Sequence, residues 1–220
     1  MRLPYAGRDG RPFQCRIRPK WFSVSNPGTK GRCTHLTINA EYAKSPTARV
    51  IALVGFMGAG KTSVGRALAA MLGCRFVDLD DLIVARERKS VADIFTDHGE
   101  AYFRQAEAHE LDRLLTEAER PLVLSLGGGA FMAELNREAL RRAQAITVRL
   151  AAPVEELHRR IGESPERPLA RDGDKFKQLY EQRQQAYALA DLTVETMDKA
   201  VDEVAAEIAD KLAARATAIE

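Results

Sequence analysis

From Val50 onward, short apolar runs alternate with stretches whose apolar positions recur every three or four residues. That alternation predicts strand–helix–strand units built around a parallel sheet. Apolar runs predict strands at Val50–Val54, Arg75–Asp78, Leu122–Leu126, Ile146–Leu150 and Leu192–Glu195. The longer period predicts helices over 61–72, 79–88, 91–97, 100–118, 133–142, 153–161, 174–188 and 198–214. Ser90 followed three residues later by Asp93 reads as a capping box that opens one of them. No repeat of solenoid length is visible. The expected fold is therefore an α/β domain with one five-stranded parallel sheet, spanning residues 48–215.

Residues 1–47 do not share this patterning. They carry prolines at 4, 12, 19, 27 and 46 and no sustained apolar period, which predicts an extension without a packed core. Ten Lys and Arg stand against Asp9 and Glu41 in the first fifty residues, although the whole chain has a formal net charge of only +2. The segment lacks the apolar stretch of a secretory signal and has few serines for a transit peptide. A basic arm for nucleic acid has no recognisable fold here, so a plain tail is the expected reading and no nucleic-acid partner is assigned.

Composition narrows the class further. The chain is 45% apolar and 29% charged over 220 residues, as in a globular protein. Its apolar runs stay near five residues, against the roughly 20 needed to span a bilayer. Cys15, Cys33 and Cys74 show no C-x-x-C or Cys/His spacing, which removes support for disulfides or structural zinc and points to a reducing cytoplasm. His35, His98, His109 and His158 have no ligand or triad spacing.

The chemistry begins directly after the first strand. Gly55 to Thr62 has the spacing G-x-x-x-x-G-K-[ST]. Backbone N–H groups of Gly58, Ala59, Gly60, Lys61, Thr62 and Ser63 are expected to cradle phosphate oxygens at a helix N-terminus. Lys61 would reach the β- and γ-phosphates of ATP, and the Thr62 hydroxyl would ligate Mg²⁺. A glycine-rich turn without a ligand accounts less well for four fixed positions in eight. Beyond "RFVDLD", no later apolar run ends in the acidic residue of a motor or switch, so a small-metabolite or nucleotide kinase fits the length best.

The acceptor side is less explicit. In "FVDLDD", Asp78 ends a strand, and continued extension would put Asp78 and Asp80 on one side. The alternative is that the acids cap the following helix. Arg104 and Glu107 are three apart on one helical face, a pair that is most often solvated. Gly127, Gly128 and Gly129 follow the third strand at the edge where open α/β sheets bind ligands.

Taken together, "GFMGAGKTSVGRALA", "FVDLD", "FRQAE", "SLGGGAF", "RPL" and "LYEQRQQAY" resemble the shikimate kinase family in order and spacing, from residue 50 to about 196. The resemblance implies a P-loop, nucleoside-monophosphate-kinase-like three-layer fold with a lid, here at 162–174. It implies transfer of phosphate from ATP to the 3-hydroxyl of shikimate, with Mg²⁺, in a cytoplasmic monomer with no membrane or nucleic-acid partner. By position it makes Asp80 the residue that holds the shikimate hydroxyls and takes the proton, and places Asp78 at the Mg²⁺ water shell. Arg104, oriented by Glu107, and Arg183 would grip the carboxylate beside Gly127, Gly128 and Gly129. Arg167 would be the lid arginine on the phosphates, and Arg160 would lie beside the nucleotide. "ETMDKAV" departs from the family pattern, and no adenine contact is assigned from it. Another small-metabolite P-loop kinase, such as a gluconate kinase, is the alternative.

Overall fold

The computed structural model describes residues 50–119, 121–162 and 172–217. The basic extension and most of the expected lid, Arg167 included, lie outside the described residues. Five strands, β1 (Val50–Val54), β2 (Arg75–Asp78), β3 (Leu122–Ser125), β4 (Ile146–Ala151) and β5 (Leu192–Glu195), form one sheet in the order β2-β3-β1-β4-β5. Every pairing is parallel, with Val50 opposite Leu122 and Ile51 opposite Ile146. All five residues of β1 are buried, as expected of a central strand covered on both faces.

The connecting helices are α1 (Lys61–Leu72), α2 (Leu79–Glu87), α3 (Val91–Glu117), α4 (Glu134–Arg142), α5 (Val154–Ile161), α6 (Gly173–Tyr187) and α7 (Val201–Thr217). α1 packs on α7, α2 on α3, α3 on α4 and α5 on α6. Strand order reverses about β1: β2 and β3 lie to one side, β4 and β5 to the other. The glycine loop leaves the carboxyl end of β1, at the switch point where open sheets leave a crevice. Among the described residues no helix is long and apolar enough to cross a membrane.

The differences from expectation have local causes. The helices expected over 91–97 and 100–118 form α3, broken at Gly99, whose φ of 80° and ψ of 172° are not helical. The Ser90 hydroxyl accepts the Asp93 N–H at 3.1 Å and caps this helix. α7 begins three residues late because Asp198 turns the chain with φ 55° and the Glu203 carboxylate accepts the Ala200 N–H at 2.7 Å. α6 begins at Gly173, one residue before the expected 174 and within the expected lid, and its Asp172 cap accepts the Lys175 N–H at 3.1 Å.

Candidate active site

The loop between β1 and α1 is shaped by backbone that side chains disfavour. Gly58 has φ 82°, and a Cβ there would sit 2.8 Å from the Leu157 carbonyl oxygen. The position therefore demands glycine on both conformational and steric grounds. Lys61 folds its ammonium over the loop and donates to the Gly55 and Phe56 carbonyls at 2.9 and 3.1 Å. At the first turn of α1, the Thr62 hydroxyl donates to Asp78 Oδ2 at 2.9 Å.

Asp78 has two functions. Its other oxygen accepts the Asp80 N–H at 3.1 Å and caps α2. Of the two readings of this acidic stretch the structure takes the capping one: β2 stops at Asp78 and Asp80 lies in the first turn of α2. The two acids still come together, through capping rather than strand alternation. Burial and the neighbouring Asp78 push the Asp80 carboxyl above its usual range, against the pull of Lys61 and Arg104. Asp80 Oδ1 is buried without a hydrogen-bond partner among the described residues. An unpaired buried carboxylate oxygen is costly and is seldom kept without a use.

The glycine triplet lets side chains from three helices converge. A Cβ at Gly127 would lie 2.6 Å from Asp80 Oδ1 and 2.9 Å from Glu107 Oε1. The Arg104 guanidinium fills the space a Cβ at Gly129 would take, and Arg183 Nη1 lies 3.2 Å from the corresponding point at Gly128. Arg104 Nη1 donates to both oxygens of Glu107, at 3.1 and 2.9 Å. This is not the solvated pair that helical spacing alone suggests, because Glu107 is fully buried. Burial raises its carboxyl, and Arg104 opposes that rise. On α6, Arg183 donates to the Gly128 carbonyl at 3.1 Å and stacks 5.6 Å from the Phe56 ring centre. Asp80, Arg104, Arg183 and the triplet are thereby drawn together beside the phosphate loop.

On the other side of that loop a cavity of about 400 Å³ opens between Gly58–Val64, the end of α5 and the β5–α7 connection. Ser63 and Arg160 line it. Arg160 is anchored by the Thr196 hydroxyl and carbonyl at 2.9 and 2.7 Å and by Glu156 at 2.7 Å. Thr196, Asp198 and Lys199, within the "ETMDKAV" segment from which no contact is assigned by sequence, also line the cavity. One signal is present in the chain: Thr196 directly follows β5, at the carboxyl edge of the sheet.

A phosphate-binding loop at the switch point of a five-stranded parallel sheet, with an acidic and two basic side chains on a bare glycine backbone beside it, defines the small-molecule kinase class of P-loop proteins. The shikimate kinase family model matches residues 57–213, and the chain belongs to that family. It is 45% identical over 170 residues to shikimate kinase of Geobacter metallireducens, covering 76% of this chain and 93% of the relative. Against the Caulobacter vibrioides shikimate kinase the identity is 46% over 154 residues, covering 69% and 76%. Among solved structures, shikimate kinase from Acinetobacter baumannii in complex with shikimate superposes with a TM-score of 0.72 at 36% identity, covering 77% of this chain and 95% of that one. A gluconokinase from Sinorhizobium meliloti shares the fold alone, with a TM-score of 0.50 at 18% identity, covering 79% and 95%.

Proposed function

We propose that this chain transfers the γ-phosphoryl group of ATP to the 3-hydroxyl of shikimate, giving shikimate 3-phosphate and ADP. The observation that carries this reading is the unpartnered Asp80 Oδ1, buried against Gly127 and flanked by arginines on the acceptor side of the loop. A hydroxyl donor supplied by the substrate completes that oxygen's hydrogen bonding. Arg104 and Arg183 offer planar forks to a carboxylate, and the triplet lets the ring lie against backbone.

In the reaction the acceptor oxygen bonds to the γ-phosphorus while the bond from that phosphorus to the β–γ bridging oxygen breaks, its electron pair leaving on ADP. The hydroxyl proton passes to Asp80. The loop N–H groups and Lys61 bind the phosphates, and Arg160, with the Thr196 side, holds the nucleoside end. Arg167, which lies outside the described residues, is assigned to the transferred phosphate on the family resemblance alone.

The Thr62 hydroxyl and Asp78 carboxylate form a pair of hard oxygen donors 2.9 Å apart, which suits Mg²⁺ held partly by phosphates and water. Mg²⁺ would neutralise charge on the phosphates there. Among the described residues no cluster of three His, Cys, Asp or Glu side chains is arranged to hold a metal ion by itself.

We take the enzyme to be a cytoplasmic monomer whose residues 1–47 contribute nothing to catalysis. A coupled ADP-release assay offering shikimate, gluconate and nucleoside monophosphates in parallel tests the activity. Turnover with shikimate alone is expected, and turnover with gluconate in its place would overturn the reading.

A further inference from the structure

The glycine triplet has no side chains with which to hold itself. Its outer carbonyls are tied by backbone: Gly127 O accepts the Ala130 N–H at 3.1 Å and Gly129 O accepts the Met132 N–H at 3.0 Å. The middle carbonyl is held differently. Gly128 O receives the Tyr187 hydroxyl at 2.6 Å and Arg183 Nη1 at 3.1 Å, two donors four residues apart on one face of α6. Both sites on that oxygen are thus used by the helix that carries a substrate-gripping arginine.

Tyr187 is suited to be a permanent donor. The residue is only 1% exposed, so the hydroxyl cannot wander to solvent. Burial pushes the phenol up to about 12, against the pull of Arg183, Arg149 and Arg104, and it remains protonated at any working pH. Arg149 is in turn hydrogen-bonded to Gln184 on α6, and Gln184 donates to the Tyr180 carbonyl at 3.0 Å. Side chains therefore pin this end of α6 to the sheet.

We infer that Tyr187 is a positioning residue for the acceptor site: its hydroxyl fixes the Gly128 peptide on which the substrate lies and, by sharing that carbonyl with Arg183, sets the guanidinium in place for the carboxylate. This inference rests on the acceptor reading above. Tyr187→Phe removes the oxygen and keeps the ring, so the core around α6 stays filled. The loss of one neutral hydrogen bond is expected to raise KM for shikimate by about two- to tenfold. KM for ATP and kcat should stay within about twofold of wild type. In a double-mutant cycle with Arg183→Lys the two effects should fall short of multiplying, because both act on one carbonyl.

A purely structural tyrosine would move both KM values and the melting temperature together. An unchanged KM for shikimate, equal rises for both substrates, or fully multiplicative effects in the cycle would each overturn the inference while wild-type turnover leaves the proposed activity standing. A wild-type enzyme that ignores shikimate would overturn both.

Discussion

Asp78 joins the two halves of the site: one carboxylate oxygen accepts the Thr62 hydroxyl at 2.9 Å and the other accepts the Asp80 N–H at 3.1 Å. The loop between β1 and α1 and the helix bearing Asp80 are therefore tied through a single side chain. Asp78→Ala should cost about 1 kcal/mol of stability through the lost helix cap. It should also raise the Mg²⁺ concentration needed for half-maximal rate, with less effect on KM for shikimate. Melting curves and a Mg²⁺ titration of the rate check both parts.

Arg104 lies against Gly129 with Glu107 buried behind it. Arg104→Lys keeps the charge and loses the fork, so shikimate binding should weaken by roughly 1 to 3 kcal/mol, the range for a hydrogen bond to a charged group. Affinity for an unreactive ATP analogue should barely change. Calorimetric titration with each ligand decides, and a variant that lost nucleotide but held shikimate would show that the acceptor site has been misplaced.

Asp80→Asn preserves shape and removes the proposed proton acceptor. A fall in kcat on the order of 10² to 10⁴ is expected if proton transfer contributes to the barrier. The loose transition state of phosphoryl transfer points to the lower end of that range. Steady-state rates at saturating substrates measure it, and a variant with wild-type kcat would remove Asp80 from the chemistry.

Gly127→Ala should interfere with the acceptor side while leaving the phosphate loop intact. The added methyl would sit 2.6 Å from Asp80 Oδ1, where no group fits unless the carboxylate moves. KM for shikimate should rise and kcat fall, with KM for ATP close to normal. Initial-rate kinetics with each substrate varied in turn give the answer.

Away from the site, Glu110 is a stability switch. Burial pushes its carboxyl up, but hydrogen bonds from Arg113, at 2.7 and 3.0 Å, and from Arg86 outweigh burial and hold it below the usual carboxylate range. Because the folded-state value is depressed, the stabilisation is complete above the ordinary glutamate value of about 4.3 and is lost as pH falls through the lower folded value. Glu110→Gln should destabilise the protein at pH 7 by about 1 to 3 kcal/mol. The lower part of that range is expected because both arginines are nearly half exposed to solvent. Denaturant titrations at pH 7 and below pH 4 should show the difference shrinking in acid.

Features encoded within a few consecutive residues are legible in the sequence by itself. The five strands, the Gly55–Thr62 loop with Lys61 and Thr62, and the capping pair Ser90 and Asp93 depend on spacing along the chain, which is a property of the string. The pairing of Arg104 with Glu107 is legible as geometry but not as energy, since one helical turn gives the distance and says nothing of burial. Other features have no local sign. Tyr187 meets Gly128 across 59 residues because α6 packs against the turn that follows β3, and Arg160 meets Thr196 across 36 where the chain leaves β5. The solitary Asp80 oxygen is likewise a product of packing. Hydrogen-bond satisfaction and desolvation depend on which distant groups arrive at a point, and chain spacing carries no record of that.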